Sequence, residues 1–135
     1  MANFVKPTIL LNGPRTAVIH YTIQGDGAAS ELASEVILEP NDVIDKDGTI
    51  SQRTFTITQL WWSFVGFDAL LGFDAGTPEY ALVMGQSGPQ YFDFRSFGGL
   101  KDRSGTDATG KMTLTTQGLA NSASKGTLII EVRKT

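Results

Sequence analysis

The chain has 135 residues and a mass of 14.5 kDa, which is enough for one domain that buries its own core. It contains no cysteine, which excludes disulfides and thiolate metal sites as sources of its stability. Its net charge is -3 and its Lys and Arg residues are scattered, so no basic stripe is available to neutralise phosphates, and we expect no nucleic-acid partner.

The first residues have neither the pattern of a strand nor that of a targeting segment. Their short apolar run is interrupted by Pro7, and no stretch of the chain approaches the roughly 20 apolar residues that a membrane helix needs. We therefore expect a soluble protein with no signal peptide and no membrane contact. Residues 1–7 are interpreted as an N-terminal arm, whose Phe4 and Val5 need another surface to cover them, and residues 8–135 as a single domain.

Apolar and polar residues alternate over much of the chain, between turns rich in Gly and Pro, and this pattern predicts about nine β-strands. The predicted strands cover residues 8–11, 15–24, 33–39, 54–65, 67–73, 79–84, 90–94, 111–117 and 126–133. Short strands at this spacing are typical of sandwiches and jelly rolls. We therefore predict an all-β fold, an antiparallel β-sandwich of the jelly-roll type.

The stretch from Thr54 to Phe73 is the most apolar and aromatic part of the chain. Its two strand-like runs meet at Val65-Gly66, which predicts a hairpin. Within the first run the apolar positions change parity at Gln59, and such a change of face indicates either a β-bulge, which we place at Gln59, or burial on both sides of the strand. The predicted core comprises Phe55, Ile57, Trp62, Phe67, Leu71, Phe73, Phe94, Leu114, Leu128 and Ile130.

Two segments partly match loops that bind metals or phosphates. The run from Asp45 to Ile50 has the alternating carboxylates and the glycine of a calcium loop, but Val43 and Thr54 stand where the outer ligands would be. We interpret this run as an ordinary Asp-Gly turn. The run from Gly105 to Met112 has the glycine spacing of a phosphate loop, but Met follows the Lys where that loop requires Ser or Thr.

No set of residues predicts catalysis. His20 is the only histidine and lies among apolar neighbours in a predicted strand. A zinc site would need carboxylates alone as its other ligands, and the Gly-x-Ser-x-Gly elbow of a serine hydrolase does not occur in the sequence. We therefore expect a protein that is not an enzyme and that has no cofactor and no metal site.

Five aromatic residues suggest an alternative function. Trp61, Trp62, Tyr80, Tyr91 and Phe92 could form a platform on which a sugar ring stacks, as aromatic faces do in lectin-like sandwiches. Packing in the core or at an interface is the more common role of such residues. Because that role is more common, we keep a carbohydrate-binding module only as the alternative function.

The most distinctive stretch of the sequence is YFDFRSFGG, from Tyr91 to Gly99. Its alternation predicts a strand that packs Phe92 and Phe94 on one face. The opposite face presents Asp93 and Arg95, and the two glycines free the backbone where the strand ends.

This stretch resembles the Asp-Phe-Arg-x-Phe-Gly-Gly signature of a family of small structural proteins from tailed-bacteriophage virions. The resemblance extends over most of the chain in the same order. It includes Gly13-Pro14-Arg15, Gly25-Asp26-Gly27, Val36 to Pro40, Gly66-Phe67-Asp68, Phe73-Asp74-Ala75, Thr109-Gly110-Lys111, Thr115 to Gly118 and the end strand Gly126 to Lys134. The family has no catalytic residues, so the resemblance implies a structural role.

The resemblance implies a decoration or cement protein that binds the major capsid protein between capsomers and stabilises the shell. It further implies a homotrimer that is located on the capsid surface of the virion and, during assembly, in the host cytoplasm. A tail-associated structural role is the alternative within the same family. The candidate interface residues are Phe4, Val5, Asp93, Arg95, Gly98, Gly99, Leu100, Lys101 and Arg103.

Overall fold

The computed structural model describes residues 4–13, 15–25, 33, 35–39, 42, 55–75, 79–101, 110–119 and 124–134. In these ranges the chain forms ten β-strands and one short 3-10 helix. The strand pairs are antiparallel and build two sheets. The predicted all-β sandwich is therefore confirmed, whereas its jelly-roll connectivity stays a prediction.

The chain passes several times from one sheet to the other. In chain order the strands are β1 (Phe4–Asn12), β2 (Thr16–Gln24), β3 (Glu35–Leu38), β4 (Phe55–Val65), β5 (Asp68–Phe73), β6 (Glu79–Met84), β7 (Ser87–Asp93), β8 (Leu100–Lys101), β9 (Met112–Gln117) and β10 (Lys125–Lys134). The larger sheet has the order β1-β2-β10-β4-β7, and β8 also pairs with β4. The smaller sheet has the order β3-β9-β5-β6.

One apolar core lies between the sheets, because every second residue of the central strands faces inward. In β2, for example, Ile19 and Ile23 are buried, while Thr22 is exposed. The buried Tyr21 hydroxyl donates a hydrogen bond of 3.1 Å to the carbonyl of Ile37 across the core, and its burial raises the pKa of the phenol well above its ordinary value. The ten predicted core residues are all buried: Phe55, Ile57, Trp62, Phe67, Leu71, Phe73, Phe94, Leu114, Leu128 and Ile130.

The structure has the predicted bulge in β4, but at Thr58, one residue before the predicted position Gln59. Gln59 pairs with Glu131 of β10, whereas the next pair is Ile57 with Val132, so Thr58 is the extra residue on β4. One extra residue reverses the inward and outward positions, which is why the buried apolar residues change parity along this strand. The Thr58 hydroxyl donates to the carbonyl of Glu131 at 3.1 Å and stabilises the bulge.

The predicted hairpin between β4 and β5 is wrong, because the two strands belong to different sheets. Gly66, at a φ of 85°, lets the chain cross the sandwich between them. A β-carbon at this position would lie 2.7 Å from the hydroxyl oxygen of Ser124. The Phe64 and Phe67 rings on either side pack at 4.5 Å between centroids inside the core. Alternation identifies the buried face of each strand, but it does not identify the strand's neighbour.

The predicted N-terminal arm also differs from the structure. Residues 4–12 form one continuous strand that pairs with β2, from Phe4 opposite Gln24 to Asn12 opposite Ala17. Pro7 lies within this strand and does not end it. An edge strand bonds to a neighbour on one side only, so it tolerates a residue without an N–H. Residues 4–7 therefore belong to the sandwich, while residues 1–3 lie outside the described ranges.

Candidate interaction site at the edge of the larger sheet

The signature stretch builds a turn along the edge of the larger sheet, which we call the signature turn and define as residues 93–100. Strand β7 pairs antiparallel with β4 and ends at Asp93, which lies opposite Gln59. It then forms a 3-10 helix over Arg95–Phe97 and returns to β4, where Leu100 of β8 pairs with Ile57. Compared with the predicted strand over residues 90–94, β7 begins three residues earlier and ends one residue earlier.

A backbone hydrogen bond joins the signature turn to the bulge in β4. The backbone N–H of Phe94 donates at 2.9 Å to the carbonyl of Thr58, the extra residue of the bulge. Gly98 closes the 3-10 helix in the left-handed conformation, and its N–H donates to the carbonyl of Arg95 at 3.2 Å. Gly99 has a φ of 92° and lies directly against β4. Gly99 is therefore favoured by both its conformation and its contact with β4, and Gly98 by its left-handed conformation alone.

Asp93 and Arg95 form an ion pair on the exposed side of the turn. The Arg95 guanidinium donates to both carboxylate oxygens, at 2.9 Å from Nε and 2.8 Å from a terminal nitrogen. The Arg95 backbone N–H donates to the same carboxylate at 2.9 Å. These hydrogen bonds, first the side-chain ones and then the backbone one, lower the pKa of Asp93 from its ordinary value of 3.8 to about 2.

The Asp93 carboxylate makes the stability of this turn depend on pH. Because its pKa is lower in the folded protein than in the unfolded chain, its stabilising contribution is present above pH 3.8 and is lost as the pH falls to about 2. We expect the unfolding free energy of an Asp93→Asn variant to change less across this window than that of the wild type. Urea titrations of both proteins at several pH values check this.

An Arg95→Gln variant is the matched control for this experiment, because it keeps the carboxylate and removes its charged partner. Its dependence on pH should lie between those of the wild type and Asp93→Asn, because the backbone N–H of residue 95 still donates to the carboxylate. Parallel pH profiles for the wild type and both variants would contradict the assignment.

Four aromatic rings of β4, β7 and the signature turn form a row in which buried and exposed rings alternate. Trp62 stacks on Phe92 at 5.3 Å between centroids, and Phe92 and Phe94 follow at 6.0 Å with nearly parallel rings. Phe97 continues the row at 6.0 Å from Phe94. Trp62 and Phe94 are buried, whereas Phe92 is 43% and Phe97 is 64% exposed. Phe92 and Phe94 therefore differ in burial, although the sequence predicted that both pack on one face.

Phe97 was missed by the sequence interpretation, which treated it only as part of the signature. The local signal was present, because a large apolar residue directly before two glycines has no strand face on which to pack. Its exposure on a turn held by backbone hydrogen bonds makes it a candidate contact residue.

The structure divides the predicted interface residues into two groups. Phe4 and Val5 lie in β1, at one edge of the larger sheet, and the signature turn lies at the other edge. Four strand-to-strand steps separate the two edges, which corresponds to roughly 19 Å. The group that the fold brings together comprises Asp93, Arg95, Gly98, Gly99, Leu100 and Lys101. Arg103 lies outside the described residues.

The remaining sequence motifs do not converge on a site in the described ranges. His20 pairs with Thr8 and Ile129 on the outer face of the larger sheet. Among the described residues no group of three or more His, Cys, Asp or Glu side chains could hold a metal ion. The calcium-like run 45–50 and residues 105–109 lie outside the described ranges, and Met112 begins a strand.

The five aromatic residues that predicted a sugar platform are dispersed. Trp61 and Tyr91 stack on the outer face of the larger sheet at 5.0 Å between centroids. Trp62 is buried on the opposite face of β4, and its indole N–H donates to the carbonyl of Gly85 at 3.1 Å. Tyr80 is exposed on the smaller sheet. Only the pair Trp61 and Tyr91 remains as a candidate platform among these five.

The fold and its exposed edge define the chain as an all-β sandwich with a surface turn held by backbone hydrogen bonds. No protein-family model matches the chain, and neither a curated protein nor a solved structure is similar to it. Among the described residues no helix is long and apolar enough to span a membrane.

Proposed function

We propose that the chain is a structural protein of a tailed-bacteriophage virion, which decorates or cements the capsid by binding between capsomers. The observation that carries the proposal is the exposed part of the signature turn. The Phe94 backbone N–H, bonded to Thr58, and the close packing of Gly99 hold the turn against β4, whereas Phe97 and Arg95 are left exposed. Residues that a fold does not need in an exposed position are candidates for binding a partner.

The chemistry of this turn suits a protein surface as its partner. An exposed aromatic ring beside an arginine is a combination enriched at the centres of protein interfaces. Backbone hydrogen bonds and the bulge of β4 hold the turn in place, so little conformational entropy is lost when a partner covers it. The major capsid protein is the partner that the resemblance implies.

A single turn offers too small a surface for stable attachment. Interfaces below roughly 1,200 Å² of total buried surface are characteristic of weak contacts. Several copies joined in one particle raise the overall affinity by about 10² to 10⁴ without a new type of contact. We therefore include self-association in the proposal, with a homotrimer as the expected form.

Sedimentation with empty capsid shells of the phage that encodes this chain tests the proposal. The wild type should co-sediment in a fixed ratio to the capsid protein, and decorated shells should withstand a higher temperature than bare ones. Phe97→Ala should weaken binding by at least about tenfold, because it removes the central apolar contact. Light scattering of the free protein should give the mass of three chains.

Tyr80→Ala is the matched control, since it removes an exposed aromatic ring from the other sheet. This variant should bind shells as the wild type does. Equal binding by Phe97→Ala and the wild type would overturn the assignment of the turn. A wild type that binds no shells would overturn the decorating role, and binding to isolated tails instead would place the protein there.

A further inference from the structure

The outer face of the larger sheet carries a stacked pair of aromatic rings that the proposed capsid contact does not use. Trp61 of β4 lies directly opposite Tyr91 of β7 on one side and Ile129 of β10 on the other. We call these three residues the outer platform. They line a groove of about 280 Å³ together with Ser63, Pro89, Gln90 and Thr127. Tyr91 is 47% exposed and Trp61 is half-buried, and the stacking leaves one face of each ring uncovered by the other.

Polar side chains border the outer platform on both sides along the strands. On one side Gln59 lies opposite Glu131, and its amide donates to the Glu131 carboxylate. The Tyr91 hydroxyl donates to the carbonyl oxygen of the same amide, which holds the tyrosine ring in position. On the other side Ser63 lies opposite Thr127. The outer platform thus lies between two pairs of side chains that can form hydrogen bonds.

We propose that the outer platform binds a saccharide. A pyranose ring has an apolar C–H face that stacks on aromatic rings, and it carries hydroxyl groups around its rim. The arrangement suits this chemistry, since the sugar face can pack in the groove against a ring face of Trp61 or Tyr91 that their mutual stacking leaves uncovered. The sugar hydroxyls can hydrogen-bond to the Gln59 amide and the Glu131 carboxylate on one side. On the other side they can hydrogen-bond to the hydroxyls of Ser63 and Thr127. Binding sites for small ligands commonly combine an apolar lining with a few polar groups of this kind.

The dimensions of the groove favour a small ligand over a protein. The outer platform spans three strands, which are about 4.8 Å apart, and with its bordering polar residues, from Gln59 to Ser63, it extends roughly 14 Å along β4. The resulting area is on the order of 200 Å². A stable protein interface needs about 800 Å² from each partner. An oligosaccharide of a few rings fits the smaller area.

A glycan array of defined oligosaccharides, followed by calorimetric titration of the best ligand, tests the proposal. The wild type should bind at least one glycan, and Trp61→Leu should weaken that binding by about tenfold or more. Trp61→Phe keeps a flat ring and should retain more affinity than Trp61→Leu. Tyr91→Ala provides a second test at an exposed edge position, where truncation is compatible with folding, and it should also lose binding.

Tyr80→Ala is again the control and should bind the glycan as the wild type does. Circular dichroism establishes that each variant is folded before its binding is compared. Absence of binding to every glycan on the array would overturn the proposal, and so would wild-type affinity in folded Trp61→Leu or Tyr91→Ala. These outcomes do not depend on capsid binding, which is tested through Phe97.

Discussion

Gly99→Ala should lower the unfolding free energy of the protein by about 2 to 5 kcal/mol. Two costs combine at this position. The φ of 92° places an L-residue in the left-handed region, which costs about 1 to 2 kcal/mol. A β-carbon would also lie 2.6 Å from the Thr56 methyl carbon and 2.8 Å from the Ile57 carbonyl oxygen, so β4 or the turn must shift. Urea unfolding should show a lower midpoint with an unchanged slope.

Gly98→Ala is the matched control for this prediction. Gly98 has a similar φ of 89°, but nothing lies within 4 Å of an added β-carbon. Only the backbone cost of about 1 to 2 kcal/mol should therefore remain. Equal losses for Gly98→Ala and Gly99→Ala would show that the turn does not pack against β4 as described.

Phe73→Ala should destabilise the protein by about 3 to 5 kcal/mol. Phe73 is 1% exposed in β5, which lies between β9 and β6 in the smaller sheet. Its removal deletes apolar burial and leaves a cavity, because neighbouring strands held by ladder hydrogen bonds collapse only in part. Unfolding in urea, followed by circular dichroism, measures the loss.

Phe97→Ala serves as the control for this truncation, since it makes the same chemical change at a ring that is 64% exposed. Its effect on stability should stay within about 0.5 kcal/mol. The same variant is expected to lose capsid binding, so stability and function separate at this residue. A large loss of stability in Phe97→Ala, or a small one in Phe73→Ala, would contradict the described burial.

Several features of the fold could be predicted because they depend on local alternation. Each residue of the predicted core is buried, since a side chain's face in a strand follows from its position parity. The bulge beside Gln59 was predicted for the same reason, because a break in parity is visible within one strand. Pro7 misled the prediction of the first strand, because its effect depends on whether the strand is at an edge.

The candidate site could be predicted only in part. The signature stretch drew attention to Asp93 and Arg95, and the structure pairs them in the turn. The two β1 residues, Phe4 and Val5, were grouped with them but lie at the opposite edge of the sheet. Such grouping depends on strand order, which the sequence pattern does not contain.

Local alternation in the sequence is enough to predict an all-β protein, the residues that face the core and a break in β4 close to Gln59. These properties follow from the two-residue repeat of a strand, which can be read from neighbouring residues. The separation of β4 and β5 into different sheets and the contact of Gly99 with β4 could be seen only in the three-dimensional fold. The fold also decided that Phe94 is buried while Phe97 remains exposed. Those outcomes depend on contacts between residues distant in the chain, and burial is set by the elements that cover a side chain.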